Sequence, residues 1–152
     1  MIKGVKEMFT LKSEIGMDIA HYLVGYDGKC KNMHGHRYRV IVKVSADQLH
    51  QEGQLRGMVD DFGHIKAALR TVSDYFDHKL LLEDSEEGRK IAAFFKENEF
   101  GFEVVMVPYR TTVEEMSRDI YRRIKGMGIN ITEIEMYETP TNSCIYTEEV
   151  RE

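Results

Sequence analysis

His34-Gly35-His36 is the stretch of this sequence with the clearest chemistry. In an extended chain, side chains two apart share a face, so the two imidazoles would lie together within reach of one cation. His21 closes the preceding extended run and offers a third nitrogen from a neighbouring strand. Three neutral imidazoles with an open fourth position form the pattern of a catalytic zinc site, as opposed to a closed structural one. Other divalent ions also accept three imidazoles. The simpler alternative is that His34 and His36 are surface histidines, but their parity with Val40 and Val42 favours a shared, buried face. Cys30 sits four residues before His34, flanked by Lys29 and Lys31. Positive surroundings raise the thiolate fraction, and a thiolate can serve as general base. A fourth structural zinc ligand or an inert loop thiol are the other readings of Cys30.

Two further groups carry chemistry. In Asp77-His78 a carboxylate adjoins an imidazole, and a hydrogen bond between them would fix one tautomer for acid or base work. Glu138 lies in line with Ile134 and Met136, and a carboxylate on an apolar face needs a partner. The guanidine-like edge of a pterin or guanine would supply one; a solvated strand end is the alternative. Lys29, Lys31, Arg37, Arg39 and Lys43 cluster without an intervening carboxylate, which suits a phosphorylated small molecule or simply an outer sheet face. Cys144 reads as a small buried hydrophobe, and His50 and His64 receive no role.

These groups need elements to position them. Residues 7–21 read as a strand, with turn signals at 25–29. Residues 34–46 alternate, placing His34, His36, Tyr38, Val40, Val42 and Val44 on one face. Asp60 or Asp61 caps a helix with Phe62, Ile65, Leu69, Val72 and Phe76 inward. The loop-like stretch Leu81–Gly88 opens an insertion holding a helix over 86–98, with Ile91, Phe94 and Phe95 inward, and a short strand over 102–107. Thr111 or Thr112 caps another helix, with a glutamate at the capping-box position and Gly126 and Gly128 as stops. Strands over 129–139 and 143–149 close the chain. The order predicts an α+β domain spanning 1–152: antiparallel strands with helices on one face, and open sheet edges that favour assembly of subunits.

Composition excludes several classes. With 152 residues, 42% hydrophobic and 31% charged, the chain suits one globular domain. A net charge of −5 argues against general nucleic-acid or anionic-membrane binding. No apolar run approaches a membrane span. Two cysteines and no secretory signal point to a reducing, cytoplasmic setting.

Taken together, the motifs resemble a known family. Cys30-Lys31-Asn32-Met33-His34-Gly35-His36-Arg37-Tyr38 is similar to the Cys-x3-His-Gly-His-x-Tyr signature of the 6-pyruvoyltetrahydropterin synthase superfamily. Ile19-Ala20-His21, Val59-Asp60-Asp61-Phe62, Phe76-Asp77-His78, Thr111-Thr112-Val113-Glu114 and Tyr137-Glu138-Thr139 resemble its other motifs, in order, from about residue 9 to 149. Three residues between the cysteine and His-Gly-His resemble its 6-carboxytetrahydropterin synthase branch, which serves queuosine synthesis. The resemblance implies the tunnelling fold: a four-stranded antiparallel sheet with two helices on one side, joined edge to edge into trimers or hexamers. It implies that His21, His34 and His36 bind zinc, that Cys30 is the general base, and that Asp77 and His78 form a proton relay across a subunit interface. Glu138 would anchor the pterin, with Thr112 and Thr139 nearby. The implied reaction turns 7,8-dihydroneopterin triphosphate into 6-carboxy-5,6,7,8-tetrahydropterin, acetaldehyde and triphosphate. Alternatives are the pyruvoyl synthase reaction, which eliminates triphosphate alone, an idle zinc- or pterin-binding module, and a zinc-stabilised scaffold. The sequence departs from the family at Thr111, where a proline is usual, at Phe76 for leucine, and in the longer segment 84–107.

Overall fold

A computed structural model describes residues 2–151 of the chain. Strands β1 (Phe9–His21) and β2 (His34–Ala46) form a long antiparallel hairpin in which Met17 faces Tyr38, Ile19 faces His36 and His21 faces His34. Helix α1 (Phe62–Phe76) follows, its first turn capped by the Asp61 carboxylate, which accepts from the Gly63 N–H. Strand β3 (Lys79–Glu83), helix α2 (Glu86–Glu97) and strand β4 (Val104–Val107) come next. Helix α3 (Val113–Gly126), capped by Thr112, leads to β5 (Glu133–Thr139) and β6 (Asn142–Tyr146).

The sheet has six strands in the order β4-β3-β1-β2-β5-β6. The insertion's expected helix and strand are present as α2 and β4; the correction is β3, where the sequence pattern predicts a loop, so that the sheet has six strands instead of four plus one. The expected unit is present as β1, β2, β5 and β6, antiparallel throughout, with α1 packed on β1 and α3 on β5 and β6. The insertion adds β3 and β4, both parallel to their neighbours, and a third helix. Parallel pairing of β3 with β4 is possible because α2 supplies the crossover. The stretch read as a loop from Leu81 is therefore partly strand, and Leu81 and Leu82 are buried.

One face of the sheet is the core. Met17 and Ile19 of β1, Tyr38, Val40, Val42 and Val44 of β2, and Ile134 and Met136 of β5 meet Ile65, Leu69, Val72 and Phe76 of α1 and Met116, Ile120 and Ile124 of α3. Each such apolar side chain contributes about 1.5–3 kcal/mol on burial. His21, His34 and His36 continue this face at one end of the hairpin by simple period-two parity. Three expectations fail at the margins. Phe62 lies at the exposed start of α1, and Phe94 is exposed, because α2 buries only Gly88. Phe94, Phe95, Phe100 and Phe102 instead pack on one another outside the core. Cys144 is half-buried, not buried, on β6 at the sheet edge.

On the opposite face, Arg37 pairs with Asp18, Arg39 with Glu14 and Lys43 with Glu133. The arginines and lysine of β2 thus have carboxylate partners and behave as an outer sheet face. No helix among the described residues is long and apolar enough to cross a membrane.

Candidate metal centre and active site

The three histidines expected to bind metal come together: one ring nitrogen from each of His21, His34 and His36 lies within 4.8 Å of the others. His21 is 2% exposed. Its Nδ1 is 2.8 Å from the carbonyl of Thr111, and a carbonyl only accepts, so Nδ1 carries the proton. That leaves Nε2 with its lone pair, 3.3 Å from the Tyr38 hydroxyl. His34 follows the same rule, with Nδ1 donating to the Asn32 carbonyl at 2.7 Å. Outer partners of this kind set tautomer and ring orientation in metal-bound histidines.

Electrostatics agree. Burial, and next the like charge of His34, push the His21 imidazole down to about 4, the Thr111 carbonyl opposing them and His36 adding least. Burial also lowers His36, against the pull of Glu138. Both are therefore neutral near pH 7, the form that ligates a metal. The Nε2 of His36 is buried and has no hydrogen-bond partner among the described residues. An orphaned buried nitrogen facing two other lone-pair nitrogens fits a divalent ion, and three imidazoles suit zinc.

Glu138 stands at the rim of this cluster, its Oε1 3.8 Å from His36 Nε2, too far for a hydrogen bond. Together with His36, Thr139, Tyr137 and Arg39 it lines an open cleft of about 620 Å³. The Thr139 hydroxyl accepts from the Asn142 N–H at 3.1 Å and so shapes the β5–β6 turn. Thr112 lies in neither cleft beside His36; its hydroxyl caps α3 by accepting from the Glu115 N–H at 3.3 Å.

A second cleft of about 480 Å³ opens beside the first and shares Gly35 and His36 with it. His78 lies here, along with Asp18, Lys79 and Phe102. The expected hydrogen bond is present: His78 Nδ1 donates to Asp77 at 2.8 Å. The main chain of β1 holds both residues, since the Asp18 N–H donates to Asp77 at 2.8 Å and the Asp18 carbonyl accepts from the His78 N–H at 2.7 Å. His78 is left-handed at φ 58, a conformation uncommon outside glycine, and these bonds hold it there. Burial works to raise Asp77, but the Asp18 N–H and the His78 ring outweigh it and hold the carboxyl below its ordinary range. The same hydrogen bond and charge raise His78.

Cys30 is half-buried in a single 3-10 turn (Lys29–Lys31) between β1 and β2. Its carbonyl accepts from the Leu23 N–H at 2.8 Å, tying the turn to the end of β1. Gly28 lets the turn close over Tyr26, whose ring carbon would lie 2.6 Å from any Cβ there. The Cys30 sulfur belongs to neither histidine cluster, so within one chain Cys30, Asp77 and His78 are not assembled into one group. Sequence reasoning missed two contributors: Thr111, noted as a candidate helix cap and as a departure from proline but not as the partner of His21, and Asp18, whose backbone clamps the Asp77–His78 pair.

Known proteins share this arrangement of sequence and fold. The sequence profile of the family described as 6-pyruvoyl tetrahydropterin synthase matches residues 10–149. A Haemophilus influenzae protein named 6-carboxy-5,6,7,8-tetrahydropterin synthase is 37% identical over 143 residues, covering 93% of this chain and 100% of that protein. A Wolinella succinogenes protein superposes at a TM-score of 0.76 with 18% identity, covering 94% of this chain and 99% of that one. The Plasmodium vivax 6-pyruvoyltetrahydropterin synthase superposes at 0.69 with 17% identity, covering 95% and 99% of the two chains. The two structures establish a shared fold, which is the tunnelling fold. The profile match and the Haemophilus relative go further, and on them this chain belongs to the 6-pyruvoyl tetrahydropterin synthase family.

Proposed function

We propose that this lyase of the family converts 7,8-dihydroneopterin triphosphate and one water into 6-carboxy-5,6,7,8-tetrahydropterin, acetaldehyde and triphosphate. On this reading it is a zinc-dependent, cytoplasmic enzyme of queuosine or other 7-deazapurine synthesis. The observation that carries the reading is the three-imidazole cluster with Glu138 at its rim. The name of the Haemophilus relative supports the carboxy product over the pyruvoyl one.

His21, His34 and His36 would hold zinc, which when bound supplies Lewis acidity to the side-chain oxygens of the substrate and their neighbouring C–H bonds. Glu138 accepts paired N–H donors from the guanidine-like edge of the pterin and fixes its orientation. Thr139, beside it, bounds the pterin site, whereas Thr112, outside both clefts, serves as the cap of α3. The Cys30 thiolate takes a proton from substrate carbon. Asp77 keeps His78 Nδ1 protonated, so that Nε2 exchanges the second proton. Cys30 would meet the Asp77–His78 pair across a subunit boundary, in a trimer or hexamer joined through the open sheet edges.

Turnover of 7,8-dihydroneopterin triphosphate with products identified by mass tests the proposal. Equal yields of 6-carboxytetrahydropterin and acetaldehyde are expected. Triphosphate release without acetaldehyde would move the chain to pyruvoyl chemistry, and no turnover would leave a binding module.

A further inference from the structure

We infer that the Thr111 hydroxyl is a positioning group for the metal centre: it locks His21 in the orientation and tautomer that present Nε2 to the ion. The inference rests on the metal reading above but concerns a residue that reading does not use. Thr111 is fully buried, at 0% exposure, and 90 positions from His21 in sequence.

The Thr111 hydroxyl has one proton, and the Tyr22 carbonyl 3.0 Å away accepts only, so the proton goes there. Thr111 Oγ1 also lies 3.1 Å from His21 Nδ1; with its proton committed, it accepts from that nitrogen. The Thr111 carbonyl accepts from the same nitrogen at 2.8 Å. Both oxygens therefore require the Nδ1–H form, and the lone pair stays on Nε2. The hydroxyl is itself anchored on the main chain of residue 22, just past β1, so the imidazole cannot swing without breaking its bonds to a fixed Thr111. By contrast, His34 Nδ1 rests on the single Asn32 carbonyl, on an exposed turn. A proline here, as the resembled family usually carries, would keep the carbonyl but lose the hydroxyl.

The test uses the full-length protein with Thr111→Val, which removes the hydroxyl and keeps the carbonyl, and Thr111→Ser, which restores it. Thr111→Ala replaces the valine variant if valine does not fold. Three readouts are taken: zinc affinity by competition with a chromophoric chelator, the His21 ring tautomer in metal-free protein by nitrogen-15 NMR, and the melting temperature with and without zinc. Losing an outer partner of a metal-bound histidine weakens binding by about 10-fold or more. Thr111→Val is expected to weaken zinc binding by about that factor and, with one acceptor left on Nδ1 in place of two, to bring up a minor but detectable Nε2–H population, with Thr111→Ser close to the native protein in both. Native affinity together with a single Nδ1–H tautomer in Thr111→Val would overturn the inference. So would equal losses of melting temperature with and without zinc, which mark a purely structural role. If the native protein binds no zinc, the metal reading fails, and the NMR readout alone decides whether Thr111 sets the tautomer.

Discussion

A carboxylate beside a buried imidazole, close but not hydrogen-bonded, leaves both lone pairs of Glu138 Oε1 available to a ligand. Glu138→Gln keeps the shape and removes the charge. A hydrogen bond to a charged group is worth about 1.5–3 kcal/mol. We therefore expect kcat/KM to fall roughly 10- to 150-fold with zinc content unchanged, measured by steady-state kinetics and metal analysis of the same sample. Cys30→Ala touches a different step. The Cys30 carbonyl, not its thiol, ties the turn to Leu23, so the turn survives the substitution. Turnover should drop by roughly 10²–10⁴, the usual contribution of a general base, while zinc binding persists. The Asp77–His78 pair makes a pH prediction. His78 is raised, so it stays protonated to higher pH than an ordinary histidine; Asp77 is lowered, so it stays ionised to lower pH. His78 thus adds stability that is present below its unfolded pKa and lost as pH rises through its folded value; Asp77 adds stability lost as pH falls through its own. Both contributions are small because the pair is exposed. In Asp77→Asn, NMR titration should show His78 falling toward about 6.5, and the alkaline limb of activity moving to lower pH with it.

Among the elements, the β3–α2 junction is the tightest. A Cβ at Gly88 would lie 2.0 Å from the Glu83 carbonyl, a main-chain atom that cannot rotate away. Overpacking of this kind costs about 1–3 kcal/mol. In a chain of this size that lowers the melting temperature by roughly 2–10 °C. Gly126→Ala, where nothing lies within 4 Å of the added atom, is the control and should not melt lower. The hairpin around the site was legible in sequence because its ligands obey one period: His34 and His36 continue the alternation of Tyr38, Val40 and Val42. The helix caps Asp61 and Thr112 were legible because capping is local. Strand β3 was not: its two parallel neighbours are remote in sequence, and Glu83-Asp84-Ser85 carries loop chemistry. Phe94 misled because helical periodicity shows which side of α2 is apolar, not whether a core lies beneath it. Thr111 escaped because its value depends on an imidazole 90 positions away.

Taken as a whole, the molecule leaves much of its sheet edge unpaired. β3 pairs with β1 only at Ile19 and Ala20, so Phe9–Met17 present a free outer edge. β6 is the opposite edge. Free edges of this length are templates for another strand. We expect light scattering to give a mass near three or six times 17.7 kDa. Amide exchange along residues 9–17 should be slow in the assembly and faster on dilution; a monomeric mass with fast exchange would remove the subunit-boundary role proposed for Cys30.

The register that sets His21 opposite His34 also bears on the order of assembly. The nitrogen cluster needs only one hairpin, and closing a short loop is cheap compared with bringing distant segments together. Its supports, Thr111 and Glu138, come from the last third of the chain. During synthesis the three histidines are therefore made long before Thr111 and Glu138, and a metal ion captured by the early hairpin would be bound loosely and then retained as the later segments dock. On the zinc reading, tight binding would then be an outcome of finishing the chain.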